Sequence, residues 1–219
     1  MRFLTHGISA SKLAGIETYL FTMNKGMPAN YGFDYIIEEK RTKHQHIIDS
    51  LGSRALFISP KKRFIRNIID WNKLLRNEKK NPETARLVYF NMYSLAWIAP
   101  IVLCKIHGYK VVIHAHNNNL HDCGVLQHIL HTINRFIIEH MNIYRLTNSH
   151  LSALFFFGKR HAEMIYNAID TCRFSFSLDT RNRIRCELGV EDKNLYGFAG
   201  RLENSKQPMF LIDVFREIS

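Results

Sequence analysis

Residues 110–119, Lys-Val-Val-Ile-His-Ala-His-Asn-Asn-Asn, run an unbroken β-branched segment directly into two imidazoles and three amides. Val111, Val112 and Ile113 show no polar alternation, so they suit a strand covered on both faces, the central position of a parallel sheet. His114 and His116 then fall where such a strand ends, and Asn117 to Asn119 are poor continuations of it. Open α/β sheets bind ligands outside the carboxyl ends of their strands. This polar cluster is therefore the first candidate for chemistry.

The flanking sequence repeats the same design. Arg2 to His6 reads as an opening strand, followed by Gly7, a polar loop and a helix with apolar residues at Ile16, Tyr19, Leu20 and Met23. Strand, glycine-containing loop and helix in that order present backbone N–H groups at a helix start, which suits an anion or a sugar hydroxyl. A plain βα turn accounts equally for Gly15. Further strands are expected at Phe33 to Ile37, Ala55 to Ile58, Leu87 to Phe90, Asn142 to Thr147 and Ala162 to Tyr166. Helices are expected near 61–76, 93–107, 122–140 and from Leu151, the last capped by Asn148 and Ser149. This alternation predicts an α/β fold with a doubly wound, Rossmann-like parallel sheet over residues 1–170. Residues 171–192 break the rhythm as a polar, charged and partly helical connector. Residues 193–219 restart it with a strand at Asn194 to Gly200 and a helix from Gln207, the first βα unit of an incomplete second domain.

The chain has 219 residues and a formal charge of +11. Nucleic acid, an anionic membrane face and a phosphorylated substrate all fit that charge. The four cysteines form no C-x-x-C pair and read as free thiols in a reducing compartment. No apolar run resembles a signal peptide or a membrane span, so a cytoplasmic protein is expected. The helix over 61–76 carries Phe64, Ile68, Trp71 and Leu75 on one stripe, widened by Ile65, Ile69 and Leu74. Its other face is basic, from Lys61 to Arg76. It either packs into the core with a solvated charged face or rests on anionic lipid, making the protein peripheral on the cytoplasmic membrane face.

His114, His116, His121, Cys123, His128 and His131 crowd together, and imidazole with thiolate is a zinc-binding set, which opens a zinc-dependent hydrolase reading. Only Asp122 supplies a nearby carboxylate, and no site is completed, so no metal is expected. A basic nucleic-acid-binding module is the other alternative, but no RNP, zinc-finger or helix-turn-helix pattern supports it, and no nucleic-acid partner is expected. No D-x-D occurs, the pair with which many sugar transferases hold a metal-bound nucleotide. Lastly, Gly200, Arg201 and Lys206 set a guanidinium and an ammonium after an expected strand, a possible clamp for a diphosphate or a solvated loop.

Four stretches together resemble one family. Gly200-Arg-Leu followed by Lys206 and Phe210 to Phe215 is similar to the start of the donor domain in glycosyltransferase family 4, retaining enzymes of the GT-B fold. Tyr166-Asn-Ala-Ile-Asp170 resembles the family's Pro-Asn-Gly-Ile-Asp segment. Leu13-Ala-Gly-Ile-Glu17 resembles its Gly-Gly-x-Glu loop, and His114-Ala-His-Asn117 resembles the His-x-His-Asn of its capsule and exopolysaccharide members. The resemblance implies metal-independent, retaining transfer from a nucleotide-sugar to a lipid-linked or saccharide acceptor in cell-surface polysaccharide synthesis. The nucleotide-sugar is a co-substrate, and no cofactor is implied. Arg201, Lys206 and Gly200 would hold the donor diphosphate. His116, with His114 less directly, would orient the transferring sugar. Gly15, Glu17 and Asn117 would serve the acceptor side, and Asn167 the interdomain hinge. The family's glutamate pair lies further into the donor domain, so a truncated enzyme, inactive by itself, is expected.

Overall fold

Strands β1 (Arg2–His6), β2 (Gly32–Ile37), β3 (Ala55–Phe57), β4 (Thr84–Met92), β5 (Lys110–Ala115), β6 (Tyr144–Thr147) and β7 (Glu163–Met164) join in one parallel sheet. Their order is β3-β2-β1-β4-β5-β6-β7. The computed structural model describes residues 1–120, 123–167, 171–172, 174–200, 202 and 206–218. The connecting helices are α1 (Gly15–Lys25), α2 (Gln45–Ser50), α3 (Phe64–Glu78), α4 (Ala99–Ile106), α5 (Val125–His140) and α6 (His150–Phe157). The architecture is α/β and Rossmann-like, as the alternation of elements predicts.

The chain divides into two compact units, Met1–Ala168 and Ile169–Ser219. The sheet belongs to the first. Two apolar cores cover its faces. Ile16, Leu20 and Phe21 of α1 and Ile48 of α2 pack with Phe33, Tyr35, Ile37 and Tyr89 on one side. Trp71 and Leu75 of α3, Ile101 and Cys104 of α4, Ile138 of α5 and Phe156 of α6 pack with Leu4, Val88, Val111 and Ile113 on the other. Helices follow strands on both faces because a right-handed crossover puts the connection on the face set by its direction of travel. Moving outward from β1 to β3 uses one face, and moving back from β3 through β4 to β7 uses the other.

Several elements differ from the expectation. Helix α4 starts at Ala99 rather than near Tyr93, with Pro100 in its first turn, where the missing N–H costs nothing. In α3 Trp71 and Leu75 of the stripe are buried, but Phe64 at its start is exposed, as are Ile65 and Ile69, expected to widen it. Residues 194–199 have no strand structure. A strand is held by its ladder, and among the described residues of the second unit there is no neighbour to pair with. That unit carries α7 (Leu178–Glu187) and α8 (Pro208–Ile218). Helix α7 lies in the stretch expected as a connector and is capped by Ser177, whose hydroxyl accepts from the Thr180 N–H at 3.2 Å.

Candidate functional site at the carboxyl rim

Parallel strands end on one edge, and sheet order reverses between β1 and β4, the pair whose outgoing connections run to opposite faces. That edge gathers His6 at the end of β1, Asn91 near the end of β4, and His114 and His116 at the end of β5. The register sets Asn91 opposite His114 and Met92 opposite Ala115. The His116 N–H continues the ladder by donating to the Met92 carbonyl at 3.0 Å.

Asn91 organises this rim. Its amide nitrogen donates to Thr5 Oγ1 and to the His6 carbonyl, each at 3.3 Å. Its Oδ1 therefore faces His116 Nε2, 3.0 Å away. Because that oxygen can only accept, His116 must carry its proton on Nε2, which leaves Nδ1 as the acceptor of the neutral ring. Gly7 makes the arrangement possible. Its φ is +115°, and a Cβ there would stand 2.1 Å from the Asn91 carbonyl oxygen.

His114 is fully buried. Its Nδ1 lies 2.6 Å from the Tyr89 hydroxyl, which in turn lies 3.3 Å from the Tyr19 hydroxyl, forming a buried chain of three groups. Among the described residues its Nε2 makes no well-formed hydrogen bond. The two imidazoles pack against each other with ring centres 4.1 Å apart and planes tilted by 38°. Burial, reinforced by His116 and opposed by the Ile165 backbone, drives the His114 pKa down to about 3. Burial drives that of His116 down to about 4. Burial, with the Tyr19 hydroxyl, pushes the Tyr89 phenol well above its ordinary range. At neutral pH His114 and His116 are thus uncharged imidazoles that can bond to hydroxyls.

A carboxylate stands on the same edge. Glu38 follows β2, and its Oε1 lies 3.4 Å from His6 Nε2. Burial would raise its carboxyl, yet His6, Asn67 and the Lys61 backbone together hold it below the usual range.

The other expected residues play varied parts. Glu17 is buried and accepts from the N–H groups of Ser9 at 2.6 Å and Ala14 at 2.9 Å, so it closes the β1–α1 loop over itself. Gly15 begins α1, and an added Cβ would meet open space. Asn117 donates to the Asn119 carbonyl of its own loop and to the Tyr93 carbonyl in the segment after β4. Asn167 is exposed. In the second unit Gly200 and Lys206 are exposed, and Arg201 lies outside the described residues.

His128 and His131 are occupied structurally. His128 Nε2 lies 3.0 Å from the Leu120 carbonyl. His131 accepts from the Leu95 N–H at 3.0 Å and meets the Phe155 carbonyl at 3.1 Å. Among the described residues no three His, Cys, Asp or Glu side chains assemble as metal ligands; His121 and Asp122 lie outside them. Nor is any helix among them long and apolar enough to cross a membrane.

Sequence reading alone missed Asn91, Tyr89, Gly7 and Glu38. The available signal was positional. Each sits at or next to the end of an expected strand, and strand ends of a parallel sheet share one edge. The chain matches no family model, and no curated protein or solved structure is significantly similar to it.

Proposed function

We propose that this chain is a metal-independent, retaining glycosyltransferase of the GT-B kind. Its first unit serves the acceptor side, and the sugar passes from a nucleotide-sugar to a lipid-linked or saccharide acceptor at the cytoplasmic membrane face. The observation that carries the reading is the state of His116. It is neutral, half-buried and fixed in one tautomer by Asn91 of β4, at the carboxyl end of β5 and next to the point between β1 and β4 where sheet order reverses. A neutral ring whose acceptor nitrogen meets no partner among the described residues orients a sugar hydroxyl without adding charge to the acceptor side.

His114 packs against His116 in a tilted ring contact and is itself held by Tyr89. Glu17 shapes the neighbouring loop by tying down two of its backbone N–H groups. The resemblance assigns the donor diphosphate to Gly200, Arg201 and Lys206. Fixed cations there would stabilise the charge that develops on the leaving diphosphate.

Saturation-transfer NMR with a panel of nucleotide-sugars tests this reading and needs no turnover. Contact to hexose protons that disappears in His116→Ala is the expected result. If no nucleotide-sugar makes such contact, or if contact is unchanged in His116→Ala, the reading is wrong.

A further inference from the structure

Helix α5 departs from what its place in the fold requires. A helix between two neighbouring strands of a doubly wound sheet ordinarily buries its apolar stripe, yet only His131 and Ile138 of α5 are buried. Leu126 and Phe136 are each 67% exposed, Ile133 is 54% exposed and Ile129 51%. The apolar surface continues onto neighbouring elements. Leu130 and Ile137 border a groove of about 550 Å³ whose other walls include Phe64 and Ile68 of α3 and Trp97 ahead of α4. The rings of Phe64 and Trp97 meet edge to face at 4.9 Å. Scattered exposed apolar residues are ordinary, but a continuous face of this kind marks a docking surface.

Charge identifies what the face fits. Lys61, Lys62, Arg63, Arg66, Lys73 and Arg76 lie on α3 and its approach. The acidic residues there are already engaged, Asp70 with Arg66 and Glu78 with Arg54. On α5, Arg135 and Glu139 pair with each other. An apolar face beside this surplus of cations, of which only Arg66 is paired on the helix among the described residues, with Trp97 and Phe64 at its edge, has the chemistry of a lipid interface. A second copy of this chain would bring like charge against like. We propose that α5, Phe64 and Trp97 dock the protein on an anionic bilayer surface, with the cations of α3 meeting the lipid headgroups.

Geometry ties this surface to the rim. Helices α3, α4 and α5 each follow a parallel strand, so all three begin at the carboxyl edge that carries His116. A bilayer lying along them would hold lipid-borne groups next to that edge. The docking itself does not depend on the rim transferring sugar.

Vesicle sedimentation of the full chain tests the proposal. Binding should be strong to an equal mixture of phosphatidylcholine and phosphatidylglycerol and weak to phosphatidylcholine alone. Ile129→Asp with Ile133→Asp should lower partitioning roughly ten-fold or more, because the apolar face provides the insertion energy. Both sites are exposed, so circular dichroism and melting should be unchanged. Leu126→Gln with Phe136→Gln gives an uncharged second variant with the same expected loss. Lys62→Glu with Arg63→Glu should weaken binding and flatten its salt dependence. No binding to the mixed vesicles would overturn the proposal, as would binding that both α5 variants leave intact. A dimer seen by light scattering and dissolved by the α5 variants would also overturn it, by showing that a second copy covers the face.

Discussion

Burial keeps both rim imidazoles neutral far into acid, to about 4 for His116 and about 3 for His114. In the unfolded chain both return to about 6.5, so there the unfolded state binds more protons as pH falls. Native stability should accordingly be unaffected by these two groups above that value and should decline from about pH 6.5 toward 4. The imidazole carbon-bound proton resonances of the folded protein should hold their neutral positions down to about pH 5. A midpoint near 6 for either ring would contradict the burial argument. Asn91 offers a second test. Asn91→Leu keeps similar bulk but strands His116 Nε2, at a cost of roughly 1–3 kcal/mol for an unsatisfied group, while the Thr5 hydroxyl keeps its bond to the Tyr89 carbonyl. Denaturant unfolding should show a loss in that range, and His116 should lose its fixed tautomer in nitrogen-15 spectra. The two histidines were legible in the sequence because the strand and its polar end are contiguous. Asn91 was not, because its partner lies 25 residues away and only strand register unites them.

At the scale of elements, the loop between β1 and α1 is held less by α1 itself than by one carboxylate. Glu17 takes the N–H groups of Ser9 and Ala14, the second of these being half of a capping box whose other half Ala14 has no side-chain oxygen to complete. Glu17→Ala should cost about 1.5–3 kcal/mol, the usual worth of hydrogen bonds to a charged group. Hydrogen exchange at the Ser9 and Ala14 amides should rise before exchange elsewhere in the sheet. Exchange rising uniformly instead would mean that Glu17 supports the whole core and not this loop. The strands themselves were readable from short β-branched and aromatic runs, and six of the seven begin within two residues of the expected positions. β4 extends further at both ends, since pairing with β1 and β5 recruits residues that have no strand character of their own. Helix α5 shows the opposite limit. Its apolar spacing announced a helix correctly but could not say that the face would remain uncovered.

The whole molecule concentrates its stability in one of its two units. Among the described residues every buried side chain, apolar or polar, lies at or before Phe157. The expected strand over 194–200 illustrates why the remainder was harder to read. Its apolar residues fit a strand, but a strand exists only where a neighbour completes its hydrogen bonds, and sequence pattern carries no information about that neighbour. Within the first unit the neighbours were all present, so local pattern and global fold agreed. The expected consequence is that residues 1–168 fold without the rest. A chain shortened after Ala168 should unfold in a single cooperative transition, with a melting temperature within about 4 °C of the full chain, the shift that a change near 1 kcal/mol produces at this size. Its protected amides should be the same set, centred on β1, β4 and β5, where the ladders are flanked on both sides. Loss of the cooperative transition on shortening would show that residues 169–219 complete the core of the first unit, and the burial pattern would then have to be read as that of one inseparable domain.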